Sequence, residues 1–340
     1  MSHLTIALDI MGGDHGPHIT LPATVNALHI YPDIQFILCG DKQVIENYFS
    51  RYDIHADNYR IEHCDQAVEM DDKPSKVLRA KRNSSMYRML ELVRDKKANG
   101  CVSAGNTGAL MAMSYMVLKT LPGIDRPALI SSLPTAQHKK VFLLDLGANV
   151  SCDAETLFQF AVMGSVLAAE ETDNPNPRVA LLNVGSEQIK GNETVRYASK
   201  LLSDVPSLNY IGFVEGNDIF NDVTDVVVTD GFVGNIALKS VEGLGKLVVN
   251  ELKRVSEKNL MTRIMAKIAL PLFKKIYNRV NPDQYNGASL IGLRGTVVKS
   301  HGNAKSDAFF YAIKEALQEV NRQVPKKIQE KMETVLMERP

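Results

Sequence analysis

Short apolar, β-branched runs alternate with longer stretches of helical spacing along most of the chain. This alternation constrains the fold more than any other feature, because it is the signature of βαβ units built on a parallel sheet. The strand-like runs are residues 4–10, 34–39, 101–104, 128–133, 141–145, 179–184, 210–214 and 226–229. Several end in Gly, Asn, Asp or Ser and lead into a helix, as in DIMGGDHGP, VSAGNTGAL, LDLGANVSC, LNVGSEQIKGN and VTDGFVGNI. In a parallel α/β sheet the carboxyl ends of the strands lie along one edge, where ligands bind. The pattern therefore predicts five polar, glycine-bearing loops converging on one crevice.

A chain of 340 residues can bury a large core, as one α/β domain or as two lobes. Residues 171–177 (ETDNPNP) mark either a break between lobes or a long surface loop. Basic and acidic residues balance at 39 each, so there is no global basic field to capture nucleic acid. The four cysteines, Cys39, Cys64, Cys101 and Cys152, are too widely spaced for a zinc site and read as reduced, mostly core thiols. The N-terminus runs directly into an apolar strand without the features of a signal peptide, which predicts a cytoplasmic protein. The charge-free stretch at residues 99–118 is too polar for a membrane span.

Residues 256–282 have a different texture. Helical spacing puts Met261, Ile264, Met265, Ile268 and Leu272 on one face, interspersed with Arg263, Lys267, Lys274, Lys275 and Arg279. No acidic residue lies between Glu257 and Asp283, and Pro271 predicts a kink that splits the pattern into two short helices. The segment reads as a basic amphipathic hairpin. Such a hairpin can lie in an anionic membrane surface or pack on protein as a dimer interface or core pair; the pattern alone favours protein.

The strongest anion site by local physics is SAGNTG, residues 103–108, where a strand end feeds a helix whose first N–H groups carry partial positive charge. It is neither a Walker loop nor a GxGxxG dinucleotide fingerprint. A capped helix after a tight turn is the plain alternative. In MGGDHGP, Asp14 could orient a substrate or cap the next helix, while His15 and His18 lack the carboxylates of a metal site. Lys76, Arg79, Lys81 and Arg82 crowd one helix start, as a phosphate clamp or as a solvated basic face. Asn183 and Lys190, and likewise Asp230 and Asn235, flank glycines just past strand ends. Asp218, Asp222 and Asp225 read as turn and cap residues. No nucleophile elbow and no cysteine beside a base indicates a covalent acyl-enzyme, which favours direct attack on any acyl substrate by a bound nucleophile.

Taken in order, ALDIMGGDHGP, KPSKVLRAKRNSSM, VSAGNTGAL, LDLGANVSC, LNVGSEQIKGNE, VTDGFVGNIALK and GASLIGLRGTVVKSHGNA make the chain resemble the bacterial phosphate acyltransferases, or acyl-acyl carrier protein phosphate transacylases. The resemblance covers nearly the whole chain. It implies a single domain with a Rossmann-like α/β/α sandwich, akin to phosphotransacetylases and isopropylmalate-type dehydrogenases, with a helical hairpin insertion. It further implies a homodimer on the inner face of the cell membrane, without metal or other cofactor. The implied reaction moves a long-chain acyl group from acyl carrier protein to inorganic phosphate, and a membrane glycerol-3-phosphate acyltransferase then takes the acyl phosphate. In that light residues 256–282 become the membrane contact, through Ile264, Ile268, Leu272, Lys267 and Lys274. Ser103, Gly105, Asn106 and Thr107 are the expected phosphate or oxyanion ligands, with charge from Arg79, Lys81 and Lys190. Asn183, Asp230, Asn235 and His301 are the expected positioning groups, His301 also serving as a proton donor to the departing thiol. The competing readings are a phosphotransacetylase-like enzyme using acyl-coenzyme A, a decarboxylating dehydrogenase of related fold, and a non-catalytic membrane scaffold for lipid enzymes.

Overall fold

The apolar runs become strands of one mixed sheet, flanked by helices, in a computed structural model that describes residues 4–52, 54, 56–280 and 287–339. The first part of the chain forms β1 (Thr5–Asp9), α1 (Pro17–Ile30), β2 (Gln35–Gly40), α2 (Lys42–Phe49) and β3 (Tyr59–His63). It continues through α3 (Pro74–Ala80), α4 (Ser85–Arg94), β4 (Gly100–Ser103) and α5 (Thr107–Leu118). The second part holds β5 (Ala128–Pro134), β6 (Lys140–Leu144), α6 (Ala154–Thr172), β7 (Val179–Leu182), α7 (Glu193–Ser203), β8 (Tyr210–Val214) and β9 (Val226–Val228). Two long helices follow, α8 (Gly231–Ser256) and α9 (Leu260–Val280). The chain then returns to the middle of the sheet with β10 (Ala288–Ile291), β11 (Thr296–Lys299), α10 (Ser306–Arg322) and α11 (Val324–Glu338). The strand order is β3-β2-β1-β4-β11-β10-β5-β6-β9-β7-β8.

Side chains alternate across the sheet with the period of two that a pleated strand imposes. Ala7, Ile37 and Cys39 pack on the face covered by α4 and α5, whereas Ile6, Leu8 and Leu38 pack on the face covered by α1 and α10. In the second half α6, α7 and α11 cover one face, and α8 crosses the other against β6. Residues 171–177 close α6 and lead to β7, inside one half of a continuous sheet.

Each of the eight strand-like runs forms a strand. The sequence pattern missed β3, an edge strand whose Arg60 and Glu62 interrupt the apolar signal, and the four-residue strands β10 and β11. Strand direction corrects the prediction of a single crevice edge. Residues 135–139 are too few for a parallel crossover, which needs a dozen or more, so β5 and β6 pair antiparallel. β10 is also antiparallel to both of its neighbours. As a result β1, β4 and β11 run one way while β6, β7 and β9 run the other. The loops after β1 and β4 lie at one edge of the sheet, and those after β6, β7 and β9 lie at the opposite edge.

The hairpin also differs from its prediction. Pro271 lies inside α9, which continues through it, and α9 pairs with α8. The hairpin turn is set by a reciprocal cap: Thr262 N–H donates to Asn259 Oδ1 at 2.8 Å and Asn259 N–H to Thr262 Oγ1 at 3.1 Å. Residues 281 and 282, the predicted end of the hairpin, lie outside the described residues.

Candidate active site

The site is organised by a carboxylate that cannot reach solvent. Asp9, the last residue of β1, is 1% exposed. Its Oδ1 accepts from Ser85 Oγ and its Oδ2 from Ser103 Oγ, both at 2.6 Å, and the N–H groups of Met11 and Gly12 also donate to it. Burial pushes its pKa up and these four donors pull it back. A Cβ at Gly12 would press on Asp9 Oδ2 and come within 2.9 Å of Gly105 N, so only glycine lets the two loops meet.

This network includes two of the expected ligands, Ser103 and Gly105. The Ser103 hydroxyl donates to Asp9 and accepts from Gly105 N–H at 3.0 Å, so both groups help to shape the loop. Asn106 does so as well. Its Oδ1 caps α5 through Ala109 N–H at 2.9 Å, and its Nδ2 donates to Met70 O at 2.7 Å and Asp72 O at 3.3 Å. Thr107 and Gly108 remain: both are exposed, and as the first two helical residues their N–H groups have no intrahelical acceptor. An anion there would meet two N–H donors and the positive end of the α5 dipole.

The loop after β11 closes this side. Ser300 N–H donates to Ser103 O at 2.9 Å and Asp14 N–H donates to Gly302 O at 2.8 Å, so the loops after β1, β4 and β11 are bonded together. Lys299 is 6% exposed, and its Nζ donates to Ser300 O and, at 3.5 Å, to Ala104 O. Burial lowers its pKa to about 8, opposed by Asp14 and Asp9 and assisted by Lys239. His301 follows, with Nε2 3.6 Å from Glu242 Oε1 on α8.

The other side is built on Asp145, which is 0% exposed just past β6. It accepts from Leu129 N–H at 2.9 Å, Ala148 N–H at 3.1 Å, Asn149 N–H at 2.6 Å and Asn149 Nδ2 at 2.9 Å. Burial raises its pKa against these bonds. Asp230 caps α8 by accepting from Val233 N–H at 2.8 Å. At Gly234 a Cβ would collide with the Asp145 carbonyl oxygen, so close packing of α8 on this loop requires glycine. Asn235 lies against Gly147, its side chain 3.5 Å from the position of a Cβ there.

One face of α8 joins the two sides. Asn235, Lys239 and Glu242 stand at positions i, i+4 and i+7 and run from Gly147 to His301, a rise of about 10 Å at 1.5 Å per residue. One helix face thereby contacts both loop clusters, which leave opposite edges of the sheet.

The remaining predicted residues are placed less centrally. Arg79 is exposed on α3, whose Pro74 packs on Gly108 at 3.0 Å from the position of a Cβ. Lys81 pairs with Asp72 at 2.6 Å and donates to Ala67 O at 2.8 Å. Lys190 is exposed and pairs with Glu187 at 2.9 Å, a contact that raises its pKa. Asn183 Nδ2 donates to Lys190 O at 3.2 Å. No hydrogen bond or ion pair among the described residues joins this pair to the site. The described residues also hold no group of three His, Cys, Asp or Glu suited to a metal. Asp222 accepts from Thr135 and Gln137, and Asp225 pairs with Arg178. The four cysteines are free thiols, and burial raises the pKa of each.

Sequence reasoning missed Asp9, Ser85, Asp145 and Lys299. A signal for the two acids was present, since ALDI and LDLG each put an Asp at a strand end before a glycine loop. Lys299 was hidden because the short strand that carries it was not recognised.

The model of the fatty acid synthesis protein family matches residues 4–327. A phosphate acyltransferase of Pseudoalteromonas atlantica is 60% identical over 340 residues, covering 100% of both chains. The chain belongs to the phosphate acyltransferase family. A second member, from Shewanella woodyi, is 53% identical over 99% of both chains. Among solved structures, a phosphotransacetylase from Streptococcus pyogenes has a TM-score of 0.59 at 16% identity, covering 95% of this chain and 94% of that one. A branched-chain phosphotransacylase from Enterococcus faecalis has a TM-score of 0.54 at 17% identity, covering 93% and 99%. A Salmonella typhimurium protein assigned as a 4-hydroxythreonine-4-phosphate dehydrogenase reaches 0.54 at 13% identity, covering 93% and 99%. These likenesses establish the fold, which is the phosphotransacetylase- and dehydrogenase-like architecture that the sequence implied.

Proposed function

We propose that this family member transfers a long-chain acyl group from the thioester of acyl carrier protein to inorganic phosphate, releasing acyl phosphate for phospholipid synthesis. The observation that carries the reading is the exposed N-terminus of α5, held by the Asp9 and Asn106 brackets in a chain 60% identical to a phosphate acyltransferase. Phosphate binds at the N–H groups of Thr107 and Gly108, with Arg79 adding charge. One phosphate oxygen attacks the thioester carbonyl carbon, and a C–O bond forms. The tetrahedral oxyanion is met by donors at the far wall, where Asp230 fixes the start of α8 and Asn235 faces Gly147. Collapse breaks the C–S bond, and the thiolate takes a proton from His301 or water. Asn183 and Lys190 hold the substrate at the rim. The nucleophile arrives as an anion, so the protein's task is orientation and charge stabilisation.

The decisive assay incubates the purified protein with palmitoyl carrier protein and phosphate, with chelator and without nucleotide. Phosphate-dependent acyl phosphate is the expected product; an intact thioester beside folded protein would refute the reading.

The same proposal makes the protein a homodimer bound to the inner face of the membrane, where a glycerol-3-phosphate acyltransferase takes the product. No described helix is long and apolar enough to cross a membrane. The hairpin nevertheless exposes apolar residues along its length: Ile264 is 52% exposed, Ile268 76% and Leu272 60%, beside exposed Lys267 and Lys274. Such a surface suits an anionic bilayer. Replacing the three apolar residues by Gln is expected to abolish co-sedimentation with phosphatidylglycerol vesicles and to spare turnover of carrier substrate in solution. Unchanged co-sedimentation would remove the membrane role.

A further inference from the structure

We propose that Lys299 is a positioning residue for phosphate capture: its buried ammonium, seated on the carbonyls of Ala104 and Ser300, holds the loop after β4 against the loop after β11 and so aims the start of α5. The inference rests on the reading of that helix start as the phosphate site.

The geometry is specific. β11 pairs with β4 in a register that sets Lys299 opposite Ser103, and Ser300 N–H bonds Ser103 O at 2.9 Å. Lys299 thus stands at the point where both strands end, and its side chain bonds a carbonyl of each departing loop. Ala104 lies three residues before Thr107, so a shift of its carbonyl moves the N–H groups offered to the anion. The charged and titratable groups facing the ammonium are Asp9 from β1, Asp14 from the next loop and Lys239 from α8, with His301 and Glu242 beyond them. Asp9 is fully enclosed, and a cation close by offsets its charge. A neutral Lys299 would lose that role and one of its three N–H donors, and its hold on the two carbonyls would no longer be charge-assisted. Burial brings its pKa to about 8, so the seat is charged at neutral pH and empties of charge under mildly alkaline conditions.

The test measures acyl phosphate formation with phosphate as the varied substrate, between pH 7 and 9.5, for wild type, Lys299→Met and Lys299→Arg. At pH 7 Lys299→Met is expected to raise the phosphate KM at least tenfold and leave the KM for carrier thioester unchanged. In wild type the phosphate KM is expected to climb above pH 8, beyond the range in which phosphate itself ionises. Lys299→Arg, which keeps its charge throughout, is expected to flatten that climb. A folded Lys299→Met with wild-type phosphate KM would overturn the proposal, as would an equal rise in both KM values, the mark of general loosening. If Lys299→Met does not fold, the arginine variant decides: a climb identical to wild type rejects the role. Wild type without acyl phosphate product would fail the underlying reading and this inference together, whereas an active wild type with indifferent variants fails this inference alone.

Discussion

The two walls of the site, one on either side of α8, use one device at opposite edges of the sheet. Asp9 and Asp145 are both strand-end carboxylates, both buried, and both gather donors from a glycine loop beside a helix start. They differ in what satisfies them. Asp145 is satisfied by three backbone N–H groups and one side-chain amide, within its own loop and the adjoining strand. Asp9 takes two hydroxyls from other elements, Ser85 and Ser103, and has Lys299 nearby. The first wall is therefore a junction of distant segments with a compensating cation, and the second is a self-contained turn on which α8 is seated. A junction transmits a local change to the anion site; a self-contained turn chiefly supports the fold.

The largest expected effect comes from removing the two carboxylates. Asp9→Ala strands two hydroxyls and two amides in the interior, at about 1–3 kcal/mol for each buried donor left unmet, and should prevent stable folding. Asp9→Asn keeps the shape and should fold with reduced stability and a raised phosphate KM, whereas Asp145→Asn should lose comparable stability in urea denaturation with phosphate KM near wild type. Equal phosphate defects in the two Asn variants would erase the distinction between the walls.

Next in size is Gly234→Ala, whose added methyl meets the Asp145 carbonyl. The shift of α8 it forces should cost about 1–3 kcal/mol, as overpacking does, and should lower turnover by moving Asn235 and Glu242 together. A variant as stable and active as wild type would show that α8 is not anchored there.

A pH signature belongs to the first wall alone. Lys299 has a folded pKa near 8, below the 10.5 of an unperturbed lysine. Between those values the unfolded chain binds more protons, so this group adds stability as pH rises from about 8 to 10.5. The urea midpoint of wild type relative to Lys299→Arg should therefore increase across that window, while the difference between Asp145→Asn and wild type should stay flat there. A flat difference for Lys299→Arg would deny the burial of the charge.

The legibility of this fold followed the length of each signal. β1, β2 and β6 are near-continuous apolar runs, the pattern of strands covered on both faces, and they stood out without tertiary information. β10 and β11 carry four residues each, and β10 runs antiparallel to both neighbours. The site was legible as a set of loops, since SAGNTG and VTDGFVGN are local instructions for a turn and a helix start. Division of labour within those loops was hidden: Ser103 and Asn106 look like ligands in sequence, yet each spends its hydrogen bonds on partners up to 94 residues away.

By itself the sequence determined the α/β class, the glycine turns and the helix starts, because each depends on periodicity or on residues within one turn of each other. Only the tertiary structure decided that two sets of loops leave opposite edges, that α8 contacts both, and that Asp9 and Lys299 are both buried. Those outcomes depend on strand direction and burial, which arise when segments far apart in the chain exclude water from a common interior.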